Sequence, residues 1–259
     1  MPGKARAVAA MVTVWVGLLA ALGGARPTAA VSLDLLLVPD QVEIGTFFHG
    51  HRVQVSGKIP PGTEAVLEVL GRSASEKLMR KGRRGGLWMN VGELEISGAP
   101  SLYLVMSTKA GLLSADTQAP WGYPALKSRI AFSGQMQKEG VAAFQKQFLE
   151  LKESEGLYAS LPGALKATPG GEGWQKVQGN FQLPANIKPD TYQVCISVIR
   201  DGQVMERQRA DLQVAMVGFP ALLSTLAYQH GALYGIVAVV IAIVTGFLMG
   251  YLFKGGGGH

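Results

Sequence analysis

The 259-residue sequence predicts a mainly β protein: an immunoglobulin-like β-sandwich with a helical excursion, held by one C-terminal transmembrane helix. Three observations carry this expectation. Short apolar runs recur roughly every eight to twelve residues between Pro- and Gly-containing breaks, the spacing of sandwich strands. One internal stretch switches to helical period. The last apolar run, Ala232 to Phe253, holds no ionisable side chain other than tyrosine.

The elements follow in chain order. Lys4 and Arg6 precede the apolar run Ala7–Ala25, and Thr28 and Ala30 offer small residues for cleavage. Residues 1–30 therefore read as an export signal, with retention as a second anchor as the alternative. An exported body is expected over residues 31–217. "VSLDLLLV" stops at Pro39-Asp40, and "HRVQVSGKI" alternates Val53 and Val55 with polar neighbours. "TEAVLEVLG" follows the Pro60-Pro61-Gly62 turn, and Gly98-Ala99-Pro100 separates "LWMNVGELEIS" from "SLYLVMST". Each reads as a strand.

The stretch from about Lys138 to Glu155 differs. Val141, Phe144, Phe148 and Leu151 recur at helical spacing, one apolar stripe on a polar helix, and Gly156 suits the left-handed residue after it. Strands then return in "WQKVQGNFQLP" and in the long run around Asp201-Gly202, the chain's strongest hairpin signal. Tyr192, shortly after Pro189, is either a corner tyrosine bonding nearby backbone or a plain strand residue. One composite sandwich is expected rather than two domains.

Residues 218–231 read as a juxtamembrane helix at the membrane surface, or as an early extension of the span. The span, 232–253, is about 33 Å long as a helix, enough for a hydrocarbon core of about 30 Å. Lys254 follows, so residues 254–259 are expected in the cytoplasm and the body outside it.

Composition narrows the function. Charged residues are 16% and hydrophobic residues 48%, which suits membrane attachment. The formal charge of +6 falls to +3 without Lys4, Arg6 and Arg26, leaving 21 basic against 18 acidic residues. That balance does not point to nucleic acid. The single cysteine, Cys195, sits among strand-like neighbours and reads as a buried thiol without a disulfide partner.

"GLWMNVGELEISGAPSLYLVMST", "FQKQFLELKESEGLY" and "LPANIKPDTYQVCISVIRDGQVMERQRADLQVAMVGF", followed by the span, resemble an uncharacterised transmembrane protein family first described in alphaproteobacteria. The resemblance covers most of the body and the anchor. It implies a bacterial inner-membrane protein with a periplasmic body, and an accessory association with exporters of the sulfite and organosulfur type. It implies no assigned activity.

Candidate chemistry is sparse. His49-x-His51 would place two imidazoles on one side of a strand, a start towards a copper or zinc site that lacks further ligands; a solvated turn is the plainer reading. Lys77, Arg80, Lys81, Arg83 and Arg84 form a basic cluster that could hold an anion, lipid headgroups or an acidic partner, while Gly82, Gly85 and Gly86 more simply mark a solvated hairpin loop. Gly246 and Gly250 form a G-x-x-x-G pair where another helix could approach. No nucleophile-elbow, phosphate-loop or metal-protease motif occurs. The expectation is a non-catalytic accessory module without a cofactor, contacting the bilayer and another integral membrane protein. The alternative is a periplasmic anion- or metal-binding protein.

Overall fold

The computed structural model describes residues 33–113, 120–134, 140–171 and 173–253. The segment read as an export signal, residues 1–30, and residues 254–259 lie outside the described residues.

Two sheets form the sandwich. The first is four-stranded, in the order β1 (Leu36–Val38), β3 (His51–Ile59), β11 (Trp174–Leu183), β10 (Lys166–Gly171). The second is six-stranded: β2 (Gln41–Ile44), β13 (Gln203–Met216), β12 (Asp190–Arg200), β4 (Glu64–Leu70), β7 (Tyr103–Ser107), β9 (Tyr158–Leu161). Between them lies the first core, with Val53, Val55 and Phe181 from one sheet and Leu67, Ile196 and Leu212 from the other. Strict alternation along β3 follows from this, because its other face meets water.

The middle of the six-stranded sheet is covered on its second face as well. A three-stranded sheet of β5 (Ser73–Arg84), β6 (Leu87–Pro100) and β8 (Ala131–Gly134) lies there with two helices, α1 (Gly122–Arg129) and α2 (Gly140–Ser154). The second core joins Val66, Val105 and Ile199 to Ile96, Leu126 and Phe148. Burial on both faces explains why β4 and β7 read as nearly continuous apolar runs. Cys195 is free and buried on β12, as its strand-like neighbours predict. The Tyr192 hydroxyl donates to the Lys188 carbonyl at 2.8 Å, which decides for the corner arrangement.

Three sequence expectations need correction. First, α2 buries Phe144, Phe148, Leu149 and Lys152, while Val141 and Leu151 are exposed. At about 100° per residue Val141 shares the face of Phe148, but it belongs to the first turn and overhangs the core edge. Leu151 lies about 60° to the side of Phe148, away from Leu149 and Lys152. Second, Gly98-Ala99-Pro100 does not end its strand: β6 continues, with Ala74 facing Ala99 and Ser73 facing Pro100. Third, the basic stretch expected as a loop is mostly strand β5, and only Gly85-Gly86 form the turn.

At the C-terminus, α3 (Gly218–Gln229) is a helix of its own. His230, at φ −130° and ψ 50°, breaks it from α4 (Gly231–Phe253), so the extension reading is set aside. The 23-residue α4 has the length and composition to cross a membrane.

Candidate functional site: the tip of the β5–β6 hairpin

β5 and β6 form the longest hairpin in the described residues. Gly85 and Gly86 have φ of 58° and 85°, the two left-handed residues of a tight hairpin turn. Near its base the ribbon is tied down: Leu94 and Ile96 enter the second core, and β8 pairs with Leu94–Ser97. Beyond Leu94 there are only two strands. Arg84 lies six residues past Leu78, or roughly 20 Å further out along the ribbon.

That outer ribbon carries most of the basic cluster and an apolar set the sequence reading missed. Arg83 faces Trp88, Arg84 faces Leu87, Lys81 faces Asn90 and Gly82 faces Met89. Trp88 is 72% exposed and Leu87 68%. Met79 and Met89 are exposed too. Because side chains alternate, Lys81, Arg83 and Trp88 share one face, and Arg84, Leu87 and Met89 share the other. Each face of the tip therefore offers cations beside apolar surface. The available sign was Leu87-Trp88-Met89 directly after the glycines; as a sequence it reads equally well as the start of a buried strand.

The five candidate cations do not act together. Lys77 pairs with Glu93 at 3.1 Å, and its hydrogen bond to Glu93 raises its pKa, with the charges of Glu93 and Glu95 adding to the shift. Arg83 donates from Nε to the Gly86 carbonyl at 3.4 Å, across the turn. Lys81, Arg83 and Arg84 have no carboxylate partner among the described residues. The side chain of Arg80 lies outside the description.

The remaining candidates lie elsewhere. His49 precedes β3 and its Nδ1 contacts the Phe47 carbonyl at 2.7 Å, whereas His51 begins the strand. Gly50, at φ 98°, separates them, so the same-side rule for strand residues does not apply to the pair. Among the described residues no group of three His, Cys, Asp or Glu side chains is placed to hold a metal ion. Gly246 and Gly250 lie on α4 with open space where a Cβ would stand.

A buried carboxyl group lies in the second core. Glu68 of β4 accepts from the Tyr103 hydroxyl at 2.9 Å, and that hydroxyl accepts from the Gly122 amide at 2.8 Å. Burial raises the Glu68 pKa despite the Tyr103 hydrogen bond and the charges of Arg129 and Arg207. The same burial raises that of Tyr103. This network ties α1 to the central sheet.

Comparison with family models matches the family described as "Putative transmembrane protein (Alph_Pro_TM)" over residues 32–255. The chain belongs to this family. The match spans the sandwich, the hairpin and the apolar helix α4, so family membership covers the body and the candidate span together. Comparison with curated proteins gave no match.

Proposed function

We propose that this family member is a membrane-anchored, non-catalytic docking module. α4 holds it in the inner membrane, the sandwich lies on the periplasmic side, and the β5–β6 tip contacts a multi-span membrane protein of the exporter kind. The observation that carries the reading is the tip itself. A two-stranded ribbon projecting Trp88, Leu87 and Met89 beside cations with no carboxylate partner among the described residues is costly to leave in water, and exposed apolar patches rimmed by charge mark contact surfaces. Tryptophan and arginine are also the residues most enriched at interface hot spots. Gly246 and Gly250 supply a second contact, within the bilayer, through close helix approach.

The test is site-specific photocrosslinking from position 88 of the full-length protein in native membranes. The expected result is an adduct with one multi-span protein, lost when Arg83→Ser and Leu87→Ser are introduced together. Adducts with lipid alone would replace docking by membrane-surface binding. Adduct yields unaffected by the two changes would remove the tip from the interface.

A further inference from the structure

A second feature lies on the four-stranded sheet, which forms the opposite outer layer of the sandwich. A groove of about 590 Å³ runs over β3, β11 and the edge strand β1 to the side of the sandwich, where β13 of the six-stranded sheet contributes Gln208; its lining also includes Asp34, Leu36, Lys58, Trp174 and Lys176. We infer that this groove is a binding site for an acidic sugar, read from three demands that its side chains make on one occupant.

The first is a flat apolar face. Trp174 is half-buried and seated against the β10–β11 turn: a Cβ at Gly170 would run into its six-membered ring. Lys58 Nζ stands 5.5 Å from the ring centroid. The indole is thus held in place, with the exposed Leu36 also in the lining. The C–H face of a pyranose suits Leu36 and the part of the indole that Lys58 and Gly170 leave uncovered.

The second demand is negative charge. Lys58 and Lys176 are directly opposed on neighbouring strands, and like charges in that position repel. Asp34 satisfies Lys58 at 2.7 Å. Lys176 meets no carboxylate among the described residues, so the described lining carries one cation in excess. The third demand is a hydrogen-bond donor. The Gln208 Oε1 atom is buried and has no partner among the described residues, an arrangement that carries a cost until something donates to it. A sugar hydroxyl meets that need once the Gln208 side chain turns its amide oxygen into the groove. Carboxylate, hydroxyl and apolar ring face occur together on a uronic or related acidic sugar.

The groove also continues. A second concavity of about 340 Å³ shares Ser56 with it and is lined by Gln54, Gln178, Asn180 and Lys166. Amides and a further cation beside the first stretch would accommodate another sugar residue.

Full-length protein in phosphatidylcholine nanodiscs, titrated calorimetrically with tetragalacturonate, tests this. The neutral galactose tetramer is the control, and monomeric galacturonate separates a polymer from a free sugar acid as source. Tetragalacturonate is expected to bind at least about tenfold more tightly than the neutral tetramer, the worth of one charge-assisted hydrogen bond. Trp174→Ala and Lys176→Met should each weaken it by about tenfold or more, and Gln208→Leu by a smaller factor, in proteins whose melting curves show them folded at the temperature of the titration. Tighter binding of the tetramer than the monomer supports a polymer lying across both concavities, and equal binding supports a free acid in the first. Equal binding of the acidic and neutral tetramers, no binding at millimolar concentration, or full binding by stably folded Trp174→Ala would overturn the inference.

Discussion

Phe148→Ala, set beside Val141→Asp, tests how α2 is seated on the sheet. Phe148 is 3% exposed and meets Phe132 and Tyr158 edge-on, with ring centroids 6.1 and 6.0 Å away. Lys152 Nζ stands 5.4 Å from the same ring. Truncating a buried phenylalanine costs about 3–5 kcal/mol, from lost transfer energy and the cavity left behind. The two edge-on pairs and the cation place this site towards the upper end of that range. In a body of this size each kcal/mol moves the melting temperature by about 2–4 °C, so a fall of roughly 8–20 °C is expected. Val141 is 44% exposed in the first turn, so Val141→Asp should change stability by less than about 1 kcal/mol, its carboxylate even favoured by the helix N-terminus. The single thiol, Cys195, provides the assay: it is buried against the second core's side of β12, so its alkylation rate against temperature reports opening of the body without interference from α4. Equal losses from the two changes would mean that α2 is rotated from the orientation described. No loss from Phe148→Ala would mean that the second core does not hold the fold.

Two further predictions concern buried charge. The Glu68 pKa lies above its unfolded value, so between the two values the folded state holds more protons than the unfolded state, and stability falls as pH rises through that window. Glu68→Gln keeps an acceptor for Tyr103 and removes this penalty; melting curves should show the variant gaining on the parent towards pH 8 and the gain shrinking towards pH 4.5, and a pH-independent difference would rule the explanation out. Lys152 is buried and paired with Glu76 at 2.9 Å, so Glu76→Ala should cost about 3 kcal/mol by stranding the ammonium, while Lys152→Met should be close to neutral in the same urea titrations.

Local pattern was enough for much of the architecture. The alternation of Val53 and Val55, the Asp201-Gly202 turn and the uncharged run ending at Phe253 each have a period or a composition that only one kind of element satisfies. The corner role of Tyr192 was one of two open readings, because a hydroxyl's partner is a matter of chain path rather than residue type. What the sequence could not decide was which surface covers which. Val141 and Phe148 have the same helical phase, and only the limits of the underlying sheet leave one in water and the other in the core. Leu87 and Trp88 match a core strand in type, yet β8 stops pairing at Leu94 and leaves them bare. The basic cluster was visible as charge, but Glu93 neutralises Lys77 and leaves the tip to Lys81, Arg83 and Arg84. The groove was invisible, since Asp34, Lys58, Trp174 and Gln208 come from four separate segments. Periodicity is carried by neighbours along the chain and survives in sequence; exposure, pairing and concavity depend on residues far apart in the chain, and only the folded arrangement of the sheets brings them together.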